Sequence, residues 1–343
     1  MSVRQLAKQF VKAACVRSGA LRLAHRLGST SAVILRYHSV EDHPDKFANT
    51  IGCDSIHAAP VFELHMELLA RRFSPVSMDD ILLFLRGAKN LPPRAVVVTF
   101  DDGFKDNFQI AAPILNRVGI PATFYVLVDS VDHSKAPWYC RLRQIFFTSR
   151  SGSFRDPATG KVRKITEAPD RDAAFLAAVE FCAQAGVSER DRYVLDAESS
   201  LDPEVFPAES ELMMTWDEVR SLVKSGHSVG AHTMTHPNLA KISTDEARRE
   251  LADSKRKLEN ELGQNVLHFS YPSPALSPIW NVSTLRLTAE IGYSTAVTTT
   301  CSAVWRDSDA LALPRTYMPR DKSEFLWNTE RTFLQRSRSV TSE

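Results

Sequence analysis

The stretch "RAVVVTFDDGF", residues 94–104, constrains this chain more than any other. Ala95, Val96, Val97 and Val98 form a continuous apolar run, which suits a strand covered on both faces, as in a parallel sheet. Gly103 ends the run by allowing a turn that other residues resist. Asp101 and Asp102 therefore stand just past the carboxyl end of a buried strand, where α/β folds place their chemistry. Two carboxylates in such a place repel each other and lose water, so they are stable only beside something cationic, such as a metal. The plainer alternative is that one aspartate caps the next helix and the other is solvated, since Asp and Gly are ordinary turn residues.

The surrounding sequence repeats the strand and helix signals. "SAVILRYHSV" (31–40) is a second strand whose apolar run ends in Tyr37 and His38. "PVFELHMELLARRF" puts Val61, Leu64, Leu68 and Leu69 on one helical face. "SMDDILLFLRG" opens with the capping pair Ser77 and Asp80 and stops at Gly87. After the Asp-Asp strand, "NFQIAAPILNRVGIPATFYVLV" reads as a helix closing at Gly119 and another apolar strand. This βαβαβ rhythm implies parallel strands and right-handed crossovers.

Residues 130–212 break the rhythm with polar stretches between two short helical pieces, and read as an insertion: a lid or a substrate-contacting subdomain. The pattern resumes at "MTWDEVRSLVKSG", with Thr215 and Glu218 as a capping box. A strand and loop "HSVGAHTMTHPNL" follow, then an amphipathic helix carrying Ala247, Leu251, Leu258 and Leu262 inward. "VLHFSYPSP", "YSTAVTT" and "LALPRTYM" are later strands. With 343 residues, 43% of them hydrophobic, the chain can bury one barrel-sized core with an insertion, or two smaller ones.

Charge and cysteine content narrow the class. Forty-two basic against 41 acidic residues give a net charge of +1, which makes no general case for a nucleic-acid partner. The five cysteines are odd in number and scattered, without a Cys-x-x-Cys pair, and read as buried small residues in a reducing compartment. Residues 1–30 carry no acidic residue, and their basic residues interrupt every apolar run. A secretory leader needs an unbroken apolar centre of roughly 7–15 residues, and no segment is long enough to span a bilayer. Lys8 and Lys12 beside Leu6, Phe10 and Val11 point instead to basic amphipathic helices. These either rest on an anionic membrane face or dock on the domain by their apolar side. The expectation is a cytoplasmic protein, with peripheral contact at the inner membrane face as one option. The sequence leaves the oligomeric state open.

A cation for the aspartates has a candidate seat in "GAHTMTHPNL". His232 and His236 are four apart, and on a helical turn that spacing puts both imidazoles on one side. Two imidazoles and a carboxylate make an open metal site; a polar helix face is the plainer reading of the pair alone.

An apolar strand ending in Thr-Phe-Asp-Asp-Gly, followed much later by Gly-Ala-His-Thr-x-x-His-Pro, resembles the polysaccharide deacetylase family. These are metal-dependent carbohydrate esterases with the NodB homology domain. The resemblance covers roughly residues 31–320 apart from the insertion. It implies a distorted (β/α)7-type barrel that removes N-acetyl groups from amino sugars. It also implies that Asp101 is the general base, and that Asp102, His232 and His236 hold a divalent metal, with zinc the first choice for this donor set. The family's Arg-x-Pro-Tyr-Gly motif is altered here to Ser270-Tyr271-Pro272-Ser273-Pro274. Ser270 cannot hold the base by charge, and Arg315 in "LPRT" is the candidate replacement; Ser273 keeps a backbone N–H for an oxyanion.

The family's late Leu-x-His motif is absent, as no histidine follows His268. "ILRYHSV" instead resembles the early Tyr-His motif of a circularly permuted branch that includes poly-N-acetylglucosamine deacetylases, which implies that His38 is the general acid. His268 reads as structural, and His43, His57 and His65 lie outside any matched motif. Tyr271, Ser273 and Trp280 are the expected substrate contacts, with Trp138 and Tyr139 as further aromatic candidates against core packing. The competing readings are an amidase for a small non-sugar amide and a carbohydrate-binding protein that has lost turnover.

Overall fold

Parallel pairing of short, doubly covered strands organises the molecule, seen in a computed structural model that describes residues 31–204, 211–273 and 276–336. Eight strands share one sheet: β1 (Ala32–Tyr37), β2 (Ser74–Pro75), β3 (Ala95–Phe100), β4 (Ala122–Val126), β5 (Ser228–Ala231), β6 (His268–Ser270), β7 (Thr295–Val297) and β8 (Thr316–Tyr317). Their order is β7-β6-β5-β4-β3-β1-β8, with β2 beside the start of β3. Every pairing in this sheet is parallel, as the unbroken apolar runs require. The segment before β8 reaches the opposite edge, where the Leu313 N–H donates to Ala296 and the Thr298 N–H to Leu313, both at 2.8 Å. The sheet thus curls into a distorted barrel.

Alternation sorts the two faces. Val33, Leu35 and Tyr37 of β1 and Val96, Val98 and Phe100 of β3 join the outer core beneath α1 (Ala59–Arg72), α3 (Ala112–Val118), α7 (Trp216–Lys224), α8 (Thr244–Leu262) and α9 (Val282–Glu290). Ala32 and Ile34 of β1 and Ala95 and Val97 of β3 point the other way and pack with Met78, Ile81 and Phe84 of α2 (Met78–Leu85). That helix starts at the Ser77–Asp80 capping box and plugs the amino-terminal end of the barrel. Each large apolar side chain buried this way contributes about 1.5–3 kcal/mol. With one end closed by carbon, the opposite end is left for polar groups.

The region expected as an insertion is richer than two helical pieces. It contains α4 (Trp138–Thr148), an antiparallel hairpin (Ser153–Arg155 with Val162–Lys164), α5 (Ala168–Gln184) and α6 (Val187–Leu201). These elements enclose their own core of Trp138, Leu142, Phe146, Phe154, Ile165, Ala178, Val194 and Leu201. Small residues such as Ala174, Ala178 and Ala183 make α5's buried stripe, so its sequence looks more polar than its packing is. The chain then returns beside the Asp-Asp-Gly turn, where the Lys105 N–H donates to Leu212 and the Met214 N–H to Gly103. Residues 1–30, with the expected basic helices, lie outside the described residues. Among the described residues, no helix is long and apolar enough to cross a membrane.

Candidate active site

Asp101 follows β3 and donates its backbone N–H to the Tyr37 carbonyl, which sets it next to His38 on the neighbouring strand. Its carboxylate is gripped at both oxygens by Arg315, at 2.7 Å each. Both residues are buried, at 3% and 1% exposure. Arg315 is held in turn: its Nε donates to the Thr298 carbonyl (3.1 Å), one terminal nitrogen to Thr99 Oγ1 (3.3 Å) and the other to Ser270 Oγ (2.8 Å). The guanidinium also lies over the Tyr125 ring, 5.6 Å from its centroid. Gly230 makes room for that ring, since a Cβ there would fall 2.5 Å from a Tyr125 carbon. Burial alone would raise the Asp101 pKa, but the Arg315 charge and hydrogen bonds, with His232 and His38, hold it well below the usual carboxylate range. Ser270 thus leaves the charge to Arg315 and orients it.

Asp102 is placed by strain. Its φ is 77°, a left-handed conformation for a residue with a Cβ, and Thr233 (69°) and His236 (60°) share it. Asp102 Oδ1 lies 3.4 Å from His232 Nε2 and 3.6 Å from His236 Nε2, and makes no hydrogen bond. One ligand atom from each of Asp102, His232 and His236 falls within 4.8 Å of the others, and all three residues are buried. His232 Nδ1 contacts the Ser270 carbonyl at 2.8 Å, which fixes the proton there and leaves the Nε2 lone pair facing Asp102. Burial lowers the His236 pKa to about 3, so that ring is neutral. An unpartnered carboxylate oxygen and imidazole nitrogens aimed at it suit a divalent cation.

The spacing of His232 and His236 does not work through a helix, as the sequence suggests. The segment is a non-helical loop in which Thr233 Oγ1 donates to His232 O (2.5 Å) and accepts from His236 N (3.0 Å). The loop is braced from outside. Glu250 of α8 accepts the N–H groups of Met234 and Thr235 and the Thr235 hydroxyl, at 2.7–2.9 Å. Arg190 of α6 donates to the Thr235 carbonyl and Trp138 of α4 to the His236 carbonyl, both at 3.0 Å. Neither Glu250 nor Arg190 carries a sequence signal for this task.

His38 sits at the same mouth, and its Nδ1 is buried without a hydrogen-bond partner. Its carbonyl accepts from Asn107 Nδ2 at 2.7 Å, which ties down the strand end. Burial lowers its pKa to about 4, aided by Arg36 and Arg315 and opposed by Asp102 and Asp101. His268 contacts Thr295 and Asp79, and His57 and His65 contact Met318 and Tyr37; all three serve the framework.

The expected substrate contacts divide. Tyr271 is corrected to an outer-core residue: Ser270 points inward, so Tyr271 points outward, 1% exposed, with its hydroxyl on Thr288. Trp280 is partly buried against that core and stacks on Tyr271, with ring centroids 5.9 Å apart. Ser273 is exposed three residues beyond Ser270. Trp138 is 6% exposed and acts as a brace. Tyr139 lies 4.7 Å from the His236 ring, with a buried hydroxyl that makes no hydrogen bond. Burial, with the charge of Asp102, holds that phenol well above its ordinary pKa, so it remains a proton donor.

Comparisons with known proteins place the chain in a family. The family model for polysaccharide deacetylase matches residues 88–166 and 186–296. The putative polysaccharide deacetylase YxkH of Bacillus subtilis is 22% identical over 283 residues, covering 82% of this chain and 69% of that protein. The poly-beta-1,6-N-acetyl-D-glucosamine N-deacetylase of Escherichia coli is 33% identical over 100 residues, which is 29% of this chain and 14% of that protein. The solved structure of the Streptococcus pyogenes deacetylase PplD in complex with acetate superposes with a TM-score of 0.59 at 20% identity, covering 89% of this chain and 99% of that one. At that identity the likeness establishes the fold.

Proposed function

This chain belongs to the polysaccharide deacetylase family, and from that premise we propose that it hydrolyses the N-acetyl group of a polymeric amino sugar with the help of a divalent metal. The observation that carries the reading is the pairing of two differently held carboxylates at one barrel mouth. Asp101 is clamped and ionised, and Asp102 turns an oxygen that makes no hydrogen bond toward two imidazoles. Asp102, His232 and His236 would hold the metal, with zinc the first choice for this donor set. A cation there would supply a more acidic water and a polarised acetyl carbonyl.

The chain's own groups do the remaining work. Arg315 occupies one lone pair on each Asp101 oxygen, and a carboxylate has lone pairs to spare for the water proton. Asp101 is a weak base, so that proton does not rest there. His38, at the neighbouring strand end, is the group assigned to deliver a proton to the leaving amine, so that the proton taken from water is returned to the product. The Ser273 N–H and the Tyr139 hydroxyl are the donors assigned to the developing oxyanion. Poly-N-acetylglucosamine is the first substrate class to test, given the E. coli relative's name. The test is acetate release from a panel of N-acetylated saccharides by zinc-loaded and chelator-treated protein. Release that depends on zinc and on polymeric substrate supports the reading, and no release from any member overturns it.

A further inference from the structure

Arg36 stands two residues before His38 on β1, so alternation turns both toward the barrel interior. It pairs in register with Thr99 of β3 and Tyr317 of β8, placing it between the Asp101 strand and the Arg315 strand. Its Nε is buried without a hydrogen-bond partner, and among the described residues the guanidinium makes no ion pair. Of the two carboxylates that feel its charge, Asp101 is held by Arg315, and Asp102 faces His232 and His236 without an ion pair to Arg36. Arg315 and Arg36 repel each other across the lumen. A partly buried guanidinium with five donors and no acceptor is costly unless something anionic meets it. Its neighbour Tyr317 is 39% exposed, and its hydroxyl donates to the Asp54 carbonyl, which fixes an aromatic surface beside the cation at the mouth.

We propose that Arg36 and Tyr317 form a substrate subsite that takes an oxyanion, a carboxylate or a phosphate, carried near the N-acetylated sugar. The inference rests on the deacetylase reading and adds a charge preference to it. The aromatic ring offers a flat apolar wall to a pyranose, and the guanidinium offers a fork of donors to a planar or tetrahedral anion. Neither function needs Arg36 to touch the reacting amide.

The experiment compares three probes: a neutral N-acetylglucosamine oligomer, the same sugar joined to a glucuronate, and the same sugar carrying a phosphate. Each is measured by acetate release and, separately, by calorimetric binding to the zinc-loaded protein. The wild type should favour at least one anionic probe over the neutral one in kcat/KM, mainly through KM. Arg36→Gln should reduce that ratio on the order of 10- to 100-fold, the worth of a charge-assisted hydrogen bond or two. Arg36→Lys should retain part of it. The favoured anionic probe tells whether the anion is a uronate or a phosphate. Equal handling of all probes by the wild type overturns the subsite. A ratio untouched by Arg36→Gln, with only a common shift of the pH profile, also overturns it and leaves Arg36 as a charge neighbour of His38. If no probe releases acetate, the deacetylase reading fails, while calorimetric preference for an anion lost in Arg36→Gln would still support the subsite.

Discussion

Asp101 and Asp102 are consecutive, yet the molecule holds them by different means. Asp101 belongs to the barrel wall: its backbone continues a regular strand, and its partner Arg315 is locked by Thr298, Thr99 and Ser270. Asp102 belongs to the loops: its backbone is left-handed, like that of His236, and its Oδ1 has no hydrogen-bond partner. The wall half is electrostatically complete as it stands. The loop half stores backbone strain and unmet polarity, kept in place by Glu250, Arg190 and Trp138. In the proposed function, the difference separates a proton acceptor, which needs fixed charge, from a ligand set, which needs a cation to satisfy it.

The sharpest way to break this comparison is to neutralise each carboxylate in turn. Asp101→Asn should lower acetate release on the order of 10²–10⁴-fold while zinc content stays at the wild-type level. Asp102→Asn should lose zinc as well as activity. Equal zinc content in the two variants would show that the halves are not divided as described. Arg315→Met tests the wall half by stability. It leaves Asp101 buried without its counter-charge, and urea unfolding should report a loss of about 3–5 kcal/mol. An unchanged midpoint would mean that the clamp contributes nothing to the fold.

Glu250→Gln tests the loop half. Gln cannot accept all three donors of Met234 and Thr235, so the loop should loosen without touching any ligand. Zinc affinity, measured against a competing chelator, should fall about 10–100-fold with unfolding little altered. An unaltered affinity would show that the loop holds its shape without α8.

The two halves were unequally legible in the sequence. The wall half could be read because its signals are local: Val96 to Val98 announce the strand, and Arg315 and His38 each end a strand-like run. The same alternation argues that Tyr271 faces away from the site once Ser270 faces it, and that Arg36 shares a face with His38. The loop half was legible only as ligand identities. The spacing of His232 and His236 fits a helical turn equally well, and the left-handed residues that replace it carry no glycine to mark them. Glu250 and Arg190 act on backbone groups contributed by a loop far away in sequence, which no local pattern encodes. The separate core around α5 was hidden because alanines pack it.

The remaining test concerns His38, the titrating group of the wall half. Burial holds its pKa near 4, against an ordinary value of 6.5, with Arg36 and Arg315 adding to the depression and Asp102 and Asp101 resisting it. As pH falls below 6.5, the unfolded chain binds a proton that the folded ring refuses until about pH 4. Stability therefore declines with falling pH through that window, by up to about 1.4 kcal/mol per pH unit for one proton. His57, lowered to about 4, and His65, lowered to about 3, both chiefly by burial, add to the same decline. Asp101 does not, because its depressed pKa makes a contribution that is lost only below the ordinary carboxylate value of 3.8. His38→Asn should therefore flatten, without abolishing, the fall in unfolding free energy between pH 6.5 and 4, as followed by urea titrations at several pH values. Metal-free samples of both proteins keep zinc release out of the difference. An identical slope in both would place the His38 ring in water rather than in the dry wall, and the proton path from Asp101 would then need another carrier.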